Sequence, residues 1–459
     1  MLTFDRMPSG NLDAASLLAL LREDTRELRV PRGKPIVDAA SALHLEAHDA
    51  LGDLYPLAGV GRGVARTQRS RVLLTLLRSS REGLSAEARG LRDRVVVALV
   101  ATLPEDDVLT VFLALRRLRA NHKHVTHAVL QFVETRDADL LTRRRAALVD
   151  VIEHALGRNV ARGLEKHLLA PSRTPESDAH LEDRLGRFTR SRTTLERRLA
   201  ILFEGGTDAA LVPAFRPTAL LEQSAPRPKT VTLTNRGDIS ATLVHIYRGA
   251  DSEPMRTALD AAIARAAESL PTFEGRLAVV VDASLSTRGH GERELAFVSQ
   301  SWALAQTLKR RCPRMQTFMA GGAGEPPVPR GATDLVMPLL DAVETDPDVV
   351  AIVTDGYENR LGGELARVLA ALPGAGIDVP VVVCTSMFTA KDDLSLRSPA
   401  PNVPHVGFSH EDDFAAVLET IGSAARGEAG TSFLRSTLLA RLETVERSLS
   451  PWIPPSHGL

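Results

Sequence analysis

The chain of 459 residues is long enough for two or three domains, and its 44% hydrophobic and 25% charged content is that of a water-soluble globular protein. No run of about 18 apolar residues occurs, so no transmembrane helix is expected, and the opening MLTFDRMPSGNLDAAS has early acids where a signal peptide would be apolar, so a cytoplasmic location is expected. Formal net charge is −1, but residues 51–200 hold 27 basic against 18 acidic side chains while residues 271–459 hold 16 against 23, an asymmetry that suggests different partners for the two halves.

From about residue 12 to 270 the apolar spacing is helical. LDAASLLALLREDTREL opens the series, with Asp13 as a plausible cap. RDRVVVALVATL, EDDVLTVFLALRRLRA, THAVLQFVETR and RRAALVDVIEHALGRNVARGLEKHLL follow, separated by breaks such as Pro104 and Gly157. Each amphipathic piece needs a neighbour to cover its apolar face, so stacked helical hairpins are expected. No strict period exists, so the array is irregular. AGVGRG (58–63) lacks a preceding strand and a G-x-x-x-x-G-K-S/T, which argues against nucleotide binding. APSRTPESDAH (170–180) and SAPRPKTVT (224–232) read as loops or linkers. Asp238, in NRGD, reads as the cap of the helix SATLVHIYRG, ahead of any adhesion role for that tripeptide.

Three basic clusters lie in this half. RRLRANHKHVTH carries Arg116, Arg117, Arg119 and Lys123 beside His122, His124 and His127; TRRRAAL carries Arg143, Arg144 and Arg145; RFTRSRTTLERR spans 187–198. Each is a phosphate-contacting surface or simply a solvated helix face. The three histidines have no further ligands nearby that would make them a metal site. Two tryptophans and three tyrosines are few for a base-stacking platform.

After about residue 272 the periodicity changes. RLAVVVD (276–282), RMQTFMA (314–320), VVAIVTD (349–355) and VPVVVCT (379–385) are short apolar runs alternating with helical stretches. Strand–helix alternation with unbroken apolar strands means βαβ units and a parallel sheet buried on both faces. Helical patterns at DDFAAVLETIGSAA and at 433–449 complete the chain. The expected architecture is α plus α/β: an irregular helical-repeat domain over 1–270, a Rossmann-like domain with a mainly parallel sheet over 271–430, and a C-terminal helix and tail over 431–459. The only two cysteines, Cys312 and Cys384, sit in or beside apolar segments and read as buried thiols in a reducing compartment.

The first strand exits into D-A-S-L-S, where Asp282, Ser284 and Ser286 stand at alternate positions. Alternate residues of a tight loop can converge, and a carboxylate with two hydroxyls is a hard-oxygen set suited to Mg²⁺ or a similar divalent cation such as Mn²⁺. Thr333 in ATDL and Asp355 in VTDG stand at matching ends of later elements and would complete most of an octahedron, with water or a partner's oxygen in the rest.

These three segments, in this order, resemble the metal-ion-dependent adhesion site of von Willebrand factor A-type domains. The resemblance implies that Asp282, Ser284 and Ser286 ligate the metal, that Thr333 contacts it, and that Asp355 acts mainly through water. Leu285 and Thr287 stand where many relatives have Gly and Met. MRTALDAAIARAAESLPTFEGRLAVVVDAS and GATDLVMPLLDAVETDPDVVAIVTDGYEN further resemble the Ro autoantigen (TROVE) family, in which a helical-repeat ring is closed by an A-type domain. That implies an RNA-binding scaffold, with small structured or single-stranded RNA as partner and the basic residues named above as its contacts. The alternative is a metal-dependent adaptor that captures an acidic group of a protein partner, for example a MoxR-type ATPase or a component of a bacterial stress or defence system. No enzyme is expected: no H-E-x-x-H, C-x-x-C or G-x-S-x-G occurs, and metal-assisted hydrolysis calls for more carboxylates.

Overall fold

The computed structural model describes residues 14–38, 41–136, 138–189, 191–205, 221, 237–358, 361–387 and 399–450. The expected Asp13 cap, the 224–232 linker and the tail beyond 450 lie outside them.

The described residues divide into two compact units, one holding those of 7–223 with 438–459 and the other those of 224–437. In the first, helices such as Arg66–Arg78, Ala86–Thr102, Glu105–Leu118, Lys123–Thr135, Arg145–Leu156, Arg158–Leu168 and Arg192–Glu204 stack without a regular repeat. Helix 66–78 packs on 86–102 and 105–118, 86–102 on 123–135, and 145–156 on both 105–118 and 123–135, so packing joins helices that are not consecutive in the chain. That is how hairpins of half-apolar helices cover one another. Gly157, at φ 85°, separates two of these helices as the sequence suggests. Ser85 and Thr174 cap helices by accepting the backbone N–H of Ala88 and Ser177.

The second unit carries five strands among the described residues: β1 (Arg276–Ala283), β2 (Arg314–Gly321), β3 (Val349–Thr354), β4 (Val381–Ser386) and β5 (His405–Phe408). All pairings are parallel, in the order β2-β1-β3-β4-β5. The fold class is therefore α plus α/β. The side chains of β1 alternate between two cores. Leu277, Val279 and Val281 pack with Trp302, Leu308, Phe414 and Leu418, whereas Ala278 and Val280 pack with Leu339, Ile352, Leu365 and Val383. Fully burying each such Val or Leu contributes about 1.5–3 kcal/mol, which is why the strands read as unbroken apolar runs.

Helices Asp238–Tyr247 and Glu253–Glu268 belong to this unit rather than to the helical one. Ile239, Leu243, Ala262 and Ile263 share a core cluster with β1 and β3. Asp238 is not a cap. Gly237 occupies that position, and the orphan N–H of Ile239 donates instead to Glu411 Oε2 at 3.3 Å. The last helix, Gly427–Leu449, belongs to the sheet unit through Thr437 and to the helical unit from Leu438. In its first part the Phe433 ring lies against Gly422 so closely that a β-carbon there would clash, and meets Phe273 edge-on at 5.4 Å. Cys312 and Cys384 are buried free thiols, and burial pushes Cys312 up to about 12. Among the described residues no helix is long and apolar enough to cross a membrane.

Candidate metal centre

In an open parallel sheet, ligands bind beyond the carboxyl ends of the strands, where the chain order reverses. Here that point lies between β1 and β3. Asp282 sits at the end of β1 and Asp355 directly follows β3. Because Val281 pairs with Val353, Asp282 lies alongside Thr354, whose hydroxyl donates to Asp282 Oδ2 at 2.7 Å. The other carboxylate oxygen accepts the Ser284 N–H at 3.0 Å.

Above this carboxylate the three hydroxyls converge. The Oγ atoms of Ser284 and Ser286 are 3.0 Å apart, and Thr333 Oγ1 is 2.7 Å from the first and 3.2 Å from the second. Four of the five expected residues are thus linked by hydrogen bonds into one cluster. The fifth, Asp355, is buried on the neighbouring loop and accepts the Tyr357 N–H at 3.1 Å.

The loop geometry has local causes. Leu285 N–H donates to Gly331 O at 3.0 Å and Arg330 N–H to Ala283 O at 3.1 Å, tying the first loop to the segment that delivers Thr333. Gly321 permits this approach: its φ is 67°, and a β-carbon would lie 3.0 Å from Ser284 Cα and 2.5 Å from Arg330 O. Thr287 Oγ1 donates to Ser284 O at 2.8 Å and closes the turn from below.

The electrostatics suit a cation. Asp282 is fully buried, desolvation pushes its pKa up, and the hydrogen bonds from Ser284 and Thr354 oppose that rise only in part. Its partners are neutral, and a buried carboxylate without a positive charge is costly. Mg²⁺ holds oxygens at 2.0–2.1 Å, so adjacent ligands of an octahedron stand about 2.9 Å apart. The hydroxyl spacings bracket that value, so the residues fit the group. Among the described residues no cluster of three or more His, Cys, Asp or Glu forms, so hydroxyl donors are essential to any such site.

Thr354 joins the cluster through its hydrogen bond to Asp282, a contact that the motif residues alone do not indicate. It is the Thr of V-T-D-G, one position before Asp355.

The basic clusters are less free than their sequence suggests. Arg116 pairs with Asp150 at 3.2 Å, Arg144 with Asp106 at 2.8 Å, and Arg143 with Glu105 at 3.9 Å. Arg145 donates to the backbone oxygens of Leu202 and Phe203, capping the end of a helix. Arg117 is exposed and donates to the backbone oxygens of Pro31 and Lys34, each at 3.3 Å, and has no ion pair among the described residues. Arg119, at φ 56°, and Lys123 are exposed and carry no ion pair among the described residues. His122 and His124 stack at 5.1 Å and bond to the backbone oxygens of Arg78 and Leu77. Burial lowers His124 to about 4, so it is neutral near pH 7.

No family model matches the chain, and no curated protein matches it. Among solved structures it is similar to the crystal structure of the Deinococcus radiodurans RO (RSR) protein, at 15% identity and a TM-score of 0.38 over 93% of this chain and 100% of that one.

Proposed function

We propose that the chain is a non-catalytic binding scaffold of the Ro ribonucleoprotein type, whose sheet unit holds Mg²⁺ or a similar divalent cation. The observation that carries the metal half is the hydroxyl triangle of Ser284, Ser286 and Thr333 above the buried Asp282. Asp282, Ser284, Ser286 and Thr333 would hold the ion, with Asp355 beside them, as the resemblance to A-type domains implies. Bound there, the ion would offer an electropositive centre for an oxygen of a partner. A binding role is favoured over hydrolysis because Ser286 bonds to two hydroxyls rather than to a base. Calorimetry with Mg²⁺ and Mn²⁺ tests this: Thr333→Ala should weaken binding roughly tenfold or more, since even outer-shell changes cost that much. Equal affinity in the two proteins would remove Thr333 from the site.

The RNA half rests on the Ro-like segments and on the basic excess of residues 51–200. Among the basic residues named above, those paired with acids must give up a partner before meeting a phosphate and Arg145 is held at a helix end, so Arg117, Arg119 and Lys123 form the contact set. Each neutralised phosphate of a single strand changes the slope of log K against log salt by about 0.7. Replacing those three by alanine should therefore flatten the slope by about two units. Arg143→Ala with Arg144→Ala should change it much less. Filter binding of single-stranded and hairpin RNA across a salt series measures both. No binding to either RNA at low salt would leave the adaptor reading, in which a protein partner's acidic group meets the ion.

A further inference from the structure

Three helices of the sheet unit, Asp238–Tyr247, Glu253–Glu268 and Ala296–Arg311, pack on one another pairwise. Beside the turn that follows β2 they leave an open pocket of about 320 Å³, at the small end of the range for ligand sites. Ile246, Leu259, Ile263, Trp302 and Pro326 give it an apolar lining. The turn that carries Pro326 is held twice. The Tyr247 hydroxyl donates to Pro327 O at 3.0 Å, and the Val328 N–H closes the turn on Ala323 O at 2.8 Å. The pocket is therefore built before any ligand arrives.

Its polar groups select that ligand. Asp251, Asp260 and Glu325 line the pocket together with Arg256. Arg256 meets Asp251 through two hydrogen bonds of 2.7 Å, and Arg310 pairs with Asp260. Glu325 is exposed and has no ion pair among the described residues, so its negative charge is left over. Two neutral groups are also unspent. The Trp302 indole N–H and the Gln306 amide have no hydrogen-bond partner among the described residues, although Trp302 is only 7% exposed.

A metal ion would need several oxygens where a single carboxylate is uncommitted. RNA would bring its phosphates against a rim that holds three carboxylates. An organic cation satisfies both halves of the pocket. Its charge offsets Glu325, its stem covers the apolar lining, and tryptophan is the side chain on which such cations sit best.

We propose that this pocket binds an organic monocation, an ammonium or guanidinium on a short apolar stem, with the charge at Glu325 and the stem against Leu259, Ile263 and Trp302. None of the oxygen-cluster residues lines it, and it needs no metal.

Trp302 reports on the site in the full chain once the second tryptophan is removed by Trp452→Phe. Titrations are run in EDTA, which keeps divalent ions out of the signal. Ethyl-, butyl- and hexylammonium should bind in rising order, by roughly tenfold for each pair of methylenes buried. Hexanol should bind about fivefold more weakly than hexylammonium, the upper end for an exposed ion pair. Glu325→Gln should remove that difference and leave hexanol binding unchanged. N-acetylarginine N-methylamide brings a guanidinium and two carbonyls that can accept from Trp302 and Gln306. If it binds more tightly than hexylammonium, and weakens in Glu325→Gln, the source of the cation is a basic side chain of a protein segment. The reverse order, with the same dependence on Glu325, assigns the pocket to a free amine. Equal binding of hexanol and hexylammonium, or a preference that survives Glu325→Gln, overturns the proposal. So does the absence of any change in Trp302 emission and of any calorimetric heat at millimolar ligand.

Discussion

Mg²⁺ at a thousandfold excess over its dissociation constant should stabilise the sheet unit by about 4 kcal/mol, and Asp282→Asn should erase that gain. The ion would act on the folded state alone, because Asp282 and Asp355 come side by side only when β1 and β3 pair. In a unit of this size each kcal/mol moves the midpoint by about 2–4 °C, so the wild-type shift is roughly 10 °C. Asparagine preserves volume and can accept the Ser284 N–H at the position of Asp282 Oδ1, while the Thr354 hydroxyl turns to accept in place of donating. It also removes a fully buried charge whose hydrogen-bond partners are neutral. In EDTA the variant should therefore melt no lower than the wild type. Thermal unfolding of both proteins with and without Mg²⁺ checks this. An equal shift in both would mean that the ion stabilises from somewhere else, and a variant unfolded in EDTA would mean that the carboxylate is structural.

How much of this was legible follows from where each determinant lies along the chain. β1, β3 and β4 announced themselves because burial on both faces demands consecutive Val and Ile. β5 did not. It is four residues long, HVGF, at the sheet edge, and His405 and Gly407 interrupt any apolar run. The oxygen cluster was readable because Asp282, Ser284, Ser286 and Asp355 stand at or just beyond strand ends, so local order in the sequence becomes spatial convergence once the sheet forms. The helical unit offered no such link. Whether Arg116 faces water or Asp150 depends on how two helices 34 residues apart are stacked, and the pairing of Arg144 with Asp106 spans 38. Asp238 failed as a cap for the same reason: the acceptor that won, Glu411, lies 172 residues from Ile239. Charge patterning alone cannot separate an arginine that meets a phosphate from one that meets its own fold.

Arg71→Met should cost the helical unit about 3–5 kcal/mol, the range for removing one partner from a buried ion pair. Arg71 is 1% exposed on the helix Arg66–Arg78, a position that the arginine count would assign to the basic surface. Its Nε donates to Asp38 at 2.9 Å, Nη1 to Thr25 Oγ1 at 2.7 Å and Thr67 O at 3.2 Å, and Nη2 to Arg26 O at 2.5 Å. One guanidinium thereby holds the segment after the first helix against Arg66–Arg78. Methionine keeps most of the stem's packing, so the loss measures the stranded groups, above all the carboxylate of Asp38, whose side chain is only 9% exposed. Arg71→Met with Asp38→Asn should recover at least about 1 kcal/mol relative to additivity, because residues in direct contact couple. Denaturant unfolding of the full chain, following the transition of the helical unit, gives the three numbers. A single-variant loss below about 1 kcal/mol would place Arg71 with the exposed pairs, which are worth that little.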